Sequence, residues 1–292
     1  LFQSALFFTI QHTMGNLSIN PALRLDYHEN AGWQWVPQMN ISYKKDKIQW
    51  RGMLGKSTRD ADFTERFNNF RRSPVPSGNR IGNPSLGAET SFNYEIGGDY
   101  FLSNTMKLSA TWFHRFHHGL IDWVRTPYEQ MPRRENLISG GTYFLSRNIA
   151  RVNTYGIETD LQFQHQFNEK HNLSVNGGFI LLRTLSGEGI PSLYVSNHAR
   201  FLLNLSALYR YKSFTLTLNG LHKRRQPQIA SNIEAEITPR YTVMNLRLEK
   251  SWFSGKWSGY IQIDNLFDVQ YQDILGSRMP RTWLMSGIKL TL

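Results

Sequence analysis

Apolar and polar residues alternate along most of this chain, in runs of about ten residues or more. In the segment 155–167, Tyr155, Ile157, Leu161 and Phe163 share one parity, while Glu, Asp and Gln occupy the other. Successive side chains of a β-strand point to opposite faces, so such a run has one apolar face and one polar face. The pattern predicts extended strands rather than helices, whose apolar residues recur every three or four positions.

The alternation recurs throughout the sequence. It is clear in the segments 17–28, 35–44, 92–100, 201–218 and 284–292. About 13 such strands can be counted, each long for a soluble sheet and suited to a tilted strand that crosses a membrane. No apolar run approaches the roughly 18 residues of a transmembrane helix. The sequence therefore predicts an all-β fold, a transmembrane antiparallel β-barrel.

Short and long connections alternate between these strands. Tight turns are expected near residues 15–16, 45–46, 102–104, 168–171, 212–213 and 253–256. Longer connections are expected at 28–34, 57–90, 125–147, 186–197, 223–240 and 268–281. Outer-membrane barrels have this organisation, with short periplasmic turns and long extracellular loops. A soluble β-propeller is a distant alternative, because its apolar faces would need to be covered by another sheet.

Strand parity adds an expectation about the size of the barrel. The last strand descends from a long connection, which places the C-terminus on the periplasmic side and Leu1 at the extracellular rim. Single-chain bacterial barrels have even strand numbers, so an odd count predicts further strands ahead of Leu1. We therefore expect residues 1–292 to form one partial barrel domain, the C-terminal portion of a larger barrel.

Composition limits the chemistry that the chain can perform. It contains no cysteine, which excludes disulfides, iron–sulfur clusters and thiolate metal sites. The formal net charge is +11, but the basic residues are scattered along the chain and form no recognisable nucleic-acid-binding motif. Nucleic acid is therefore not an expected partner. Paired carboxylates, a nucleophile with its base and a phosphate-binding loop are not recognisable. We expect no catalytic residue, no cofactor and no enzymatic activity.

The stretch 114–118 contains three histidines and raises the question of a metal site. His117 and His118 are adjacent on a predicted strand, so they would point to opposite faces and could not chelate one ion. His114 and His118 share the parity of the aromatic residues that are predicted to face lipid. We expect these histidines to lie near the membrane interface and to bind no metal.

Two groups of residues are candidates for ligand contact. A polar ladder facing the barrel lumen is predicted at Glu158, Asp160, Gln162 and Gln164. Aromatic and arginine side chains in or beside the long connections are candidates for substrate binding, since they combine contact area with directional donors. These are Trp33, Arg71, Arg72, Arg80, Tyr128, Arg133, Arg134, Tyr143, Tyr194, Arg224 and Arg225. The same cations would also suit the phosphates of lipopolysaccharide.

Several motifs, taken together, resemble one family of membrane proteins. Ser57–Phe67 and Gly82–Gly97 are similar to the long-loop signature of TonB-dependent outer-membrane receptors. Val152–Glu158 resembles a strand start of that family, and Asn265–Asp268 resembles its ending. Leu292 stands where the family often has an aromatic residue that the barrel-assembly machinery recognises. The overall sequence pattern is most similar to that of cobalamin-type receptors of the Bacteroidetes group.

The resemblance implies a larger protein than this chain. It implies a 22-stranded barrel, plugged by an N-terminal domain that carries the TonB-binding motif. The implied function is active uptake of a scarce, bulky nutrient, with a corrinoid as the leading substrate and a ferric siderophore or haem as alternatives. A passive porin or structural barrel is the rival from another class. Expected partners are the TonB complex through the plug, outer-membrane lipid and lipopolysaccharide, the barrel-assembly machinery and a surface lipoprotein.

Overall fold

Antiparallel strands dominate the regular structure of this chain. A computed structural model describes residues 2–71, 73–186, 199–225, 228–230, 235–274 and 277–291. The strands are β1 (Gln3–Thr9), β2 (His12–Met14), β3 (Leu17–His28), β4 (Gly32–Lys45), β5 (Ile48–Arg59), β6 (Arg80–Ile81), β7 (Glu89–Ser103), β8 (Met106–Pro127), β9 (Thr142–Asn168), β10 (His171–Ser186), β11 (Ala199–Tyr211), β12 (Phe214–Arg225), β13 (Gln228–Ala230), β14 (Ala235–Ile237), β15 (Arg240–Trp252), β16 (Trp257–Asp264), β17 (Gln272–Ile274), β18 (Ser277–Arg278) and β19 (Trp283–Leu290).

Helical structure is confined to short segments in the described ranges. Helix α1 spans Phe63–Phe67, and single 3-10 turns occur at Tyr128–Gln130 and Phe253–Gly255. Among these described residues, no helix combines the length and the hydropathy that a membrane crossing requires.

One meandering sheet contains all the long strands. Its order is β1-β3-β4-β5-β7-β8-β9-β10-β11-β12-β15-β16-β19, thirteen strands that each pair with their neighbours in the chain. The pairings along this path are antiparallel, whereas β6 joins β9 in parallel. Strand β2 continues the pairing of β1 with β3, and β13–β14 and β17–β18 form two separate small sheets. This topology confirms the predicted all-β, antiparallel architecture.

Short and long connections alternate as predicted, with one correction. Tight turns lie at 15–16, 46–47, 104–105, 169–170, 212–213 and 253–256. The longer connections lie at 60–88, 128–141, 226–239 and 265–282, and the predicted one at 186–197 lies almost wholly outside the described residues. The prediction of a long connection at 28–34 was wrong. Only residues 29–31 separate β3 from β4, because Gly32 adopts a left-handed backbone (φ 68°) and Tyr27 already pairs with Trp33.

Strand register sorts the side chains into the two predicted faces. On the apolar face, successive partners across β12, β15, β16 and β19 are Leu218, Leu246, Ile263 and Leu284. On the polar face, partners across β12, β15 and β16 are Thr217, Arg247 and Gln262. Large apolar side chains such as Ile96, Ile157 and Ile261 are exposed, as expected for a surface that contacts lipid.

Strands β8 and β9 extend beyond the rest of the sheet and hold the longest connection. Their pairing continues to Pro127 and Thr142. The connection 60–88 adds β6 to the edge of β9, placing Ile81 beside Leu145. A buried cluster forms where they meet, consisting of Val75, Ile81, Met131, Tyr143 and Leu145. A second cluster joins Ala61 and Leu86 of the connection to Ile121 of β8. The connection is therefore a packed structure with its own small cores.

A buried ion pair fixes the start of this connection. The Arg66 Nη2 atom lies 2.6 Å from the Asp60 Oδ1 atom, and both side chains are less than 10% exposed. The Nη1 atom of Arg66 also donates to the carbonyl oxygen of Pro84 (2.9 Å). Helix α1 begins with a capping box between Asp62 and Glu65. Gly82 approaches the helix so closely that a Cβ atom there would lie 2.5 Å from the Asn68 nitrogen. The motif residues thus have a structural role.

We expect charge to be tolerated on only one face of β9. Leu161→Arg places a guanidinium on the apolar face, opposite Leu108, and should cost about 2–4 kcal/mol if the site is near the bilayer midplane. Gln162→Arg, one residue further on the polar face, should cost less than about 1 kcal/mol because the group stays solvated. Urea-dependent folding of the complete receptor into lipid vesicles measures both. Equal costs on the two faces would contradict a membrane-spanning sheet.

We also expect Arg66 to stabilise the connection 60–88 more than Arg59 does. Arg66→Met leaves Asp60 buried without its partner and should favour opening of the connection 60–88 by about 3–5 kcal/mol. Arg59→Gln removes a half-exposed pair with Glu65 and Glu89 and should cost about 1 kcal/mol or less. Amide hydrogen exchange of residues 60–88 reports both effects. Similar exchange in the two variants would show that burial does not determine the cost.

Candidate functional site

The exposed candidates for ligand contact lie on the packed connections above the sheet. Arg71 is exposed, and Arg80 is exposed on β6, with its guanidinium carbon 5.4 Å from the centre of the Trp123 ring. Arg134 is exposed and lies over Tyr128, at 5.6 Å. In each pair an aromatic ring lies against the cation. Arg134 also donates to the carbonyl oxygens of Met131 (3.4 Å) and Glu129, which leaves its Nη1 group for a ligand. Arg72 and Tyr194 lie outside the described residues.

Arg133 links two of the loop connections. Its guanidinium carbon lies 3.9 Å from the centre of the Phe70 ring, and it donates to the carbonyl oxygen of Phe70. It also donates to the Asn136 side chain at 2.9 Å. These contacts tie the 128–141 connection to the 60–88 connection. Arg133 therefore joins the two loops, and little of its donor capacity remains for a ligand.

Tyr143 was predicted as a ligand contact, but its side chain is completely buried. It belongs to β9 and packs in the cluster with Val75 and Met131. Its hydroxyl oxygen accepts a hydrogen bond from the Ile138 amide (2.7 Å) and lies 3.1 Å from the Val75 carbonyl oxygen. Tyr143 therefore supports the loops from below. The periodicity of β9 could not reveal this, because the covering residues come from distant parts of the chain.

Trp33 lies on the apolar face of the sheet. It is a residue of β4, 65% exposed, with its ring centre 5.2 Å from that of Tyr27 on β3. It shares its face with Trp35 and with the leucines of β3. Aromatic residues at the end of a lipid-facing surface are typical of membrane interfaces. This position suits an interfacial anchor better than a contact with a ligand in the lumen.

Arg224 and Arg225 were predicted together but have opposite environments. The side chain of Arg225 is 2% exposed, and its Nη2 atom lies 2.8 Å from the Asp273 Oδ1 atom. It also donates to the carbonyl oxygens of Gln272 (3.1 Å) and Thr238 (3.3 Å). Arg224 is exposed and lies on the apolar face, opposite Arg240. Arg225 therefore holds two connections together, whereas Arg224 projects from the apolar face.

The predicted polar ladder of β9 lies on one face, in register with polar residues of β8. Glu158, Asp160 and Gln162 are opposite Thr111, Ser109 and Lys107 respectively. The Gln162 Nε2 atom donates to the Asp160 Oδ1 atom at 2.8 Å. Gln164 lines a cavity of about 540 Å³ with Lys44, Lys107 and Gln162. The ladder is a hydrated polar surface near the short-turn end of the sheet.

A polar hollow at the loop end of the same face was not predicted. Two cavities of about 310 and 420 Å³ share Ser57, Thr58 and Arg59 in their linings. The wider lining includes Arg24, Asp26, Asp60, Glu89 and Arg115. Most of its cations are engaged: Arg24 pairs with Asp26 (2.7 Å) and Arg115 donates to Asn93 (2.8 Å). The polar parity of the strand ends is the sequence signal for this hollow, and it is independent of the arginines in the long connections.

The histidine-rich stretch is divided between the two faces. His114 stacks on Phe116, with ring centres 3.9 Å apart, and its cross-strand partners are Tyr94 and Tyr155 on the apolar face. His117 pairs across the sheet with Ser91 on the polar face. In the described ranges, no group of three or more histidine or acidic residues has the geometry of a metal site.

Asp273 organises the connection between β16 and β19. One carboxylate oxygen accepts hydrogen bonds from Lys223 (2.9 Å), Arg225 (2.8 Å) and the Tyr241 hydroxyl (2.7 Å). Burial opposes ionisation, but the hydrogen bonds from Lys223 and Tyr241 and the nearby positive charges outweigh it. The pKa of Asp273 is therefore lowered below its ordinary value.

This cluster should stabilise the connection at neutral pH and lose its effect in acid. Because the folded pKa is lowered, the contribution is complete above the unfolded pKa of about 3.9 and disappears as pH falls through the folded value. Asp273→Asn should reduce the exchange protection of the Gln272 and Thr238 amides about tenfold at pH 7. In the unmodified protein, protection relative to intrinsic exchange should fall only below about pH 4. An unchanged variant, or loss near pH 6, would contradict the assignment.

Sequence comparison places the chain among outer-membrane proteins. A family model described as "TonB dependent receptor-like, beta-barrel" matches residues 2–266. The iron-regulated outer membrane virulence protein of Vibrio cholerae is 29% identical over 228 residues, covering 76% of this chain and 34% of the relative. The chain thus spans about a third of the length of the curated relatives that it matches.

Solved structures show the same fold. The siderophore receptor PirA of Acinetobacter baumannii has a TM-score of 0.73 at 16% identity, over 99% of this chain and 45% of the receptor. The FrpB iron transporter of Neisseria meningitidis has a TM-score of 0.70 at 12% identity, over 98% of this chain and 44% of the transporter. The fold of these structures agrees with the family match over residues 2–266. This chain belongs to the TonB-dependent receptor β-barrel family.

Proposed function

We propose that this chain is part of an outer-membrane receptor that takes up a ferric siderophore, driven by TonB through a plug domain. The observation that carries the proposal is the 29% identity over 228 residues to an iron-regulated outer-membrane protein. The long connections face the outside in this proposal, and the short turns face the periplasm. The family consists of transporters and receptors, so no catalytic role is assigned to the chain.

This proposal changes the order of substrates that the sequence suggested. The family resemblance placed a corrinoid first, ahead of a ferric siderophore or haem. The relatives compared above are named for iron regulation, iron transport and siderophores, and none of these names refers to cobalamin. We therefore rank a ferric siderophore first and keep cobalamin as a competitor to be tested.

The geometry of the loops suits a bulky anionic ligand. Arg71, Arg80 and Arg134 are exposed, and two of them lie over aromatic rings. An aromatic ring beneath a guanidinium fixes its plane while its outer edge remains free to donate hydrogen bonds. A ferric siderophore combines flat apolar surface with negatively charged oxygens, which such pairs recognise well. The polar ladder from Glu158 to Gln164 would then face the lumen and the plug.

Ligand titration of the complete receptor tests this proposal. We expect submicromolar binding of at least one of several representative ferric siderophores and at least about 100-fold weaker binding of cyanocobalamin and haem. Arg80→Ala should weaken siderophore binding about tenfold, because it removes one charge-assisted contact. Arg210→Ala is the matched control, since Arg210 is equally exposed but lies at the short-turn end of the polar face.

The outcomes separate the alternatives. Tight binding of cyanocobalamin without a siderophore response would overturn the substrate assignment and leave the family unchanged. Equal losses in the Arg80 and Arg210 variants would show that the packed loops do not form the binding surface. Uptake of ferric siderophore that persists without TonB would favour a passive channel.

A further inference from the structure

A cavity of about 540 Å³ lies on the polar face, at the short-turn end of the sheet. Side chains of two short turns and of strands β4, β7, β8, β9 and β10 line it. Its charged lining residues are Lys44, Lys47, Lys107 and Asp46, so three cations face one carboxylate. We call this site the lysine cavity. Because it lies on the polar face, its cations point away from the surface that contacts lipid.

Two of these lysines share one aromatic ring. The Nζ atoms of Lys44 and Lys107 lie 5.1 and 6.0 Å from the centre of the Phe101 ring. Lys107 also lies 3.6 Å from the Asp99 Oδ1 atom, and Lys47 donates to a main-chain carbonyl oxygen at 3.2 Å. Across the described parts of the chain, Lys44 has no ion pair. The lysine cavity therefore keeps positive charge that the chain itself does not neutralise.

Neutral hydrogen-bonding groups complete the lining. Gln162, Gln164 and Asn176 are exposed in the cavity, and Ser174 lies beside them. Carboxamide and hydroxyl groups donate to oxygen atoms of a ligand without adding charge. Sites for small molecules have volumes of roughly 300–1,000 Å³. The aromatic ring, the ammonium groups and the neutral donors together suit a bulky ligand with flat surfaces and anionic oxygens.

Lysine and arginine are segregated between the two ends of the sheet. Lys56 and Lys223 lie towards the long connections, and the other nine of the eleven lysines lie in, beside or opposite a short turn. The exposed candidates Arg71, Arg80 and Arg134 lie on the long connections. Arginine binds two oxygens at once with a rigid fork, whereas lysine is a flexible and strongly hydrated point charge. The loop end is therefore suited to capture, and the short-turn end to brief binding followed by release.

Carboxylates separate the two cationic regions. Glu158 and Asp160 lie on the polar face of β9, between the loop end and Gln162 of the cavity. Glu95 of β7 lies on the same face, opposite Phe113. Like charges repel, so an anionic ligand is disfavoured at this middle level. An anion that has passed it is attracted by the lysine cavity, and the carboxylates then oppose its return.

We propose that the lysine cavity is an exit site, which binds the anionic ferric ligand after the plug has moved and before the ligand enters the periplasm. This inference rests on the proposed function and on the orientation given there. It adds a second binding site on the transport path, distinct from the loop surface that captures the ligand. Binding at this site is weak, because lysine and carboxamide side chains supply single contacts in a hydrated cavity.

Photochemical labelling during transport tests the proposal. Cells with the complete receptor receive diazirine derivatives of representative ferric siderophores, with or without a protonophore, and are irradiated. Mass spectrometry then locates the labelled peptides. We expect loop peptides to be labelled in both conditions, and the β9 peptide that contains Gln162 and Gln164 only in energised cells.

Substitutions show whether the lysines hold the ligand there. Lys44→Gln/Lys107→Gln should reduce labelling of the β9 peptide at least about tenfold, because two cationic contacts are lost. Affinity for the siderophore from the outside should be unchanged, since both lysines lie at the opposite end of the sheet. Lys212→Gln is the matched control. Lys212 lies over the Tyr211 ring (5.4 Å) in another short turn and does not line the cavity.

The possible failures are distinguishable. Absence of siderophore binding from the outside would overturn the proposed function and the exit site together. Normal binding and uptake without energy-dependent labelling of β9 would overturn the exit site alone. Weaker outside binding in the double variant would show that the lysines hold the plug instead. If the double variant does not assemble, each single variant must reduce the labelling about threefold, and unchanged labelling in both would exclude the lysines.

Discussion

The structure depends on backbone hydrogen bonding where water is absent. In hydrocarbon, each unpaired amide or carbonyl costs several kcal/mol, so every spanning strand must pair along both sides. The thirteen-strand meander meets this condition for its eleven inner members, and β1 and β19 remain as edges. These edges need partner strands in a membrane. Beyond the rest of the sheet, the extension of β9 pairs with β6, which belongs to the connection 60–88.

This pairing gives the two faces different electrostatics. On the polar face, several cations are matched by carboxylates within the chain: Asp99, for example, accepts from Ser109 (2.6 Å) and lies 2.8 Å from the Arg51 Nε atom. On the apolar face the strands are apolar in the middle, and the arginines that the structure describes on this face, such as Arg183, Arg224 and Arg240, lie towards the loop end.

Sequence alone could predict the strands, their faces and the order of short and long connections, because each depends on local periodicity. It could not predict that the connection 29–31 is a tight turn. That turn depends on the left-handed backbone of Gly32 and on the contact between Tyr27 and Trp33. It also predicted the connection between β8 and β9 at 125–147, whereas β8 continues to Pro127 and β9 already begins at Thr142. Strands that rise above a membrane alternate in the same way as strands within it. Tyr143 was misjudged for a related reason, because its covering residues are distant in sequence.

Parity along a strand is a better guide to an arginine's role than its distance from a loop. Arg224 and Arg225 are consecutive at the end of β12, and composition treats them alike. The fold turns one towards Asp273, where it is buried and paired, and the other towards the lipid surface. The same division separates Arg80, supported on Trp123 above the sheet, from Arg224 and Arg240 on the apolar face. A barrel surface therefore assigns loop arginines to loop contacts, ligand or lipid according to the face each one occupies, and that face can be counted from the sequence once the register is known.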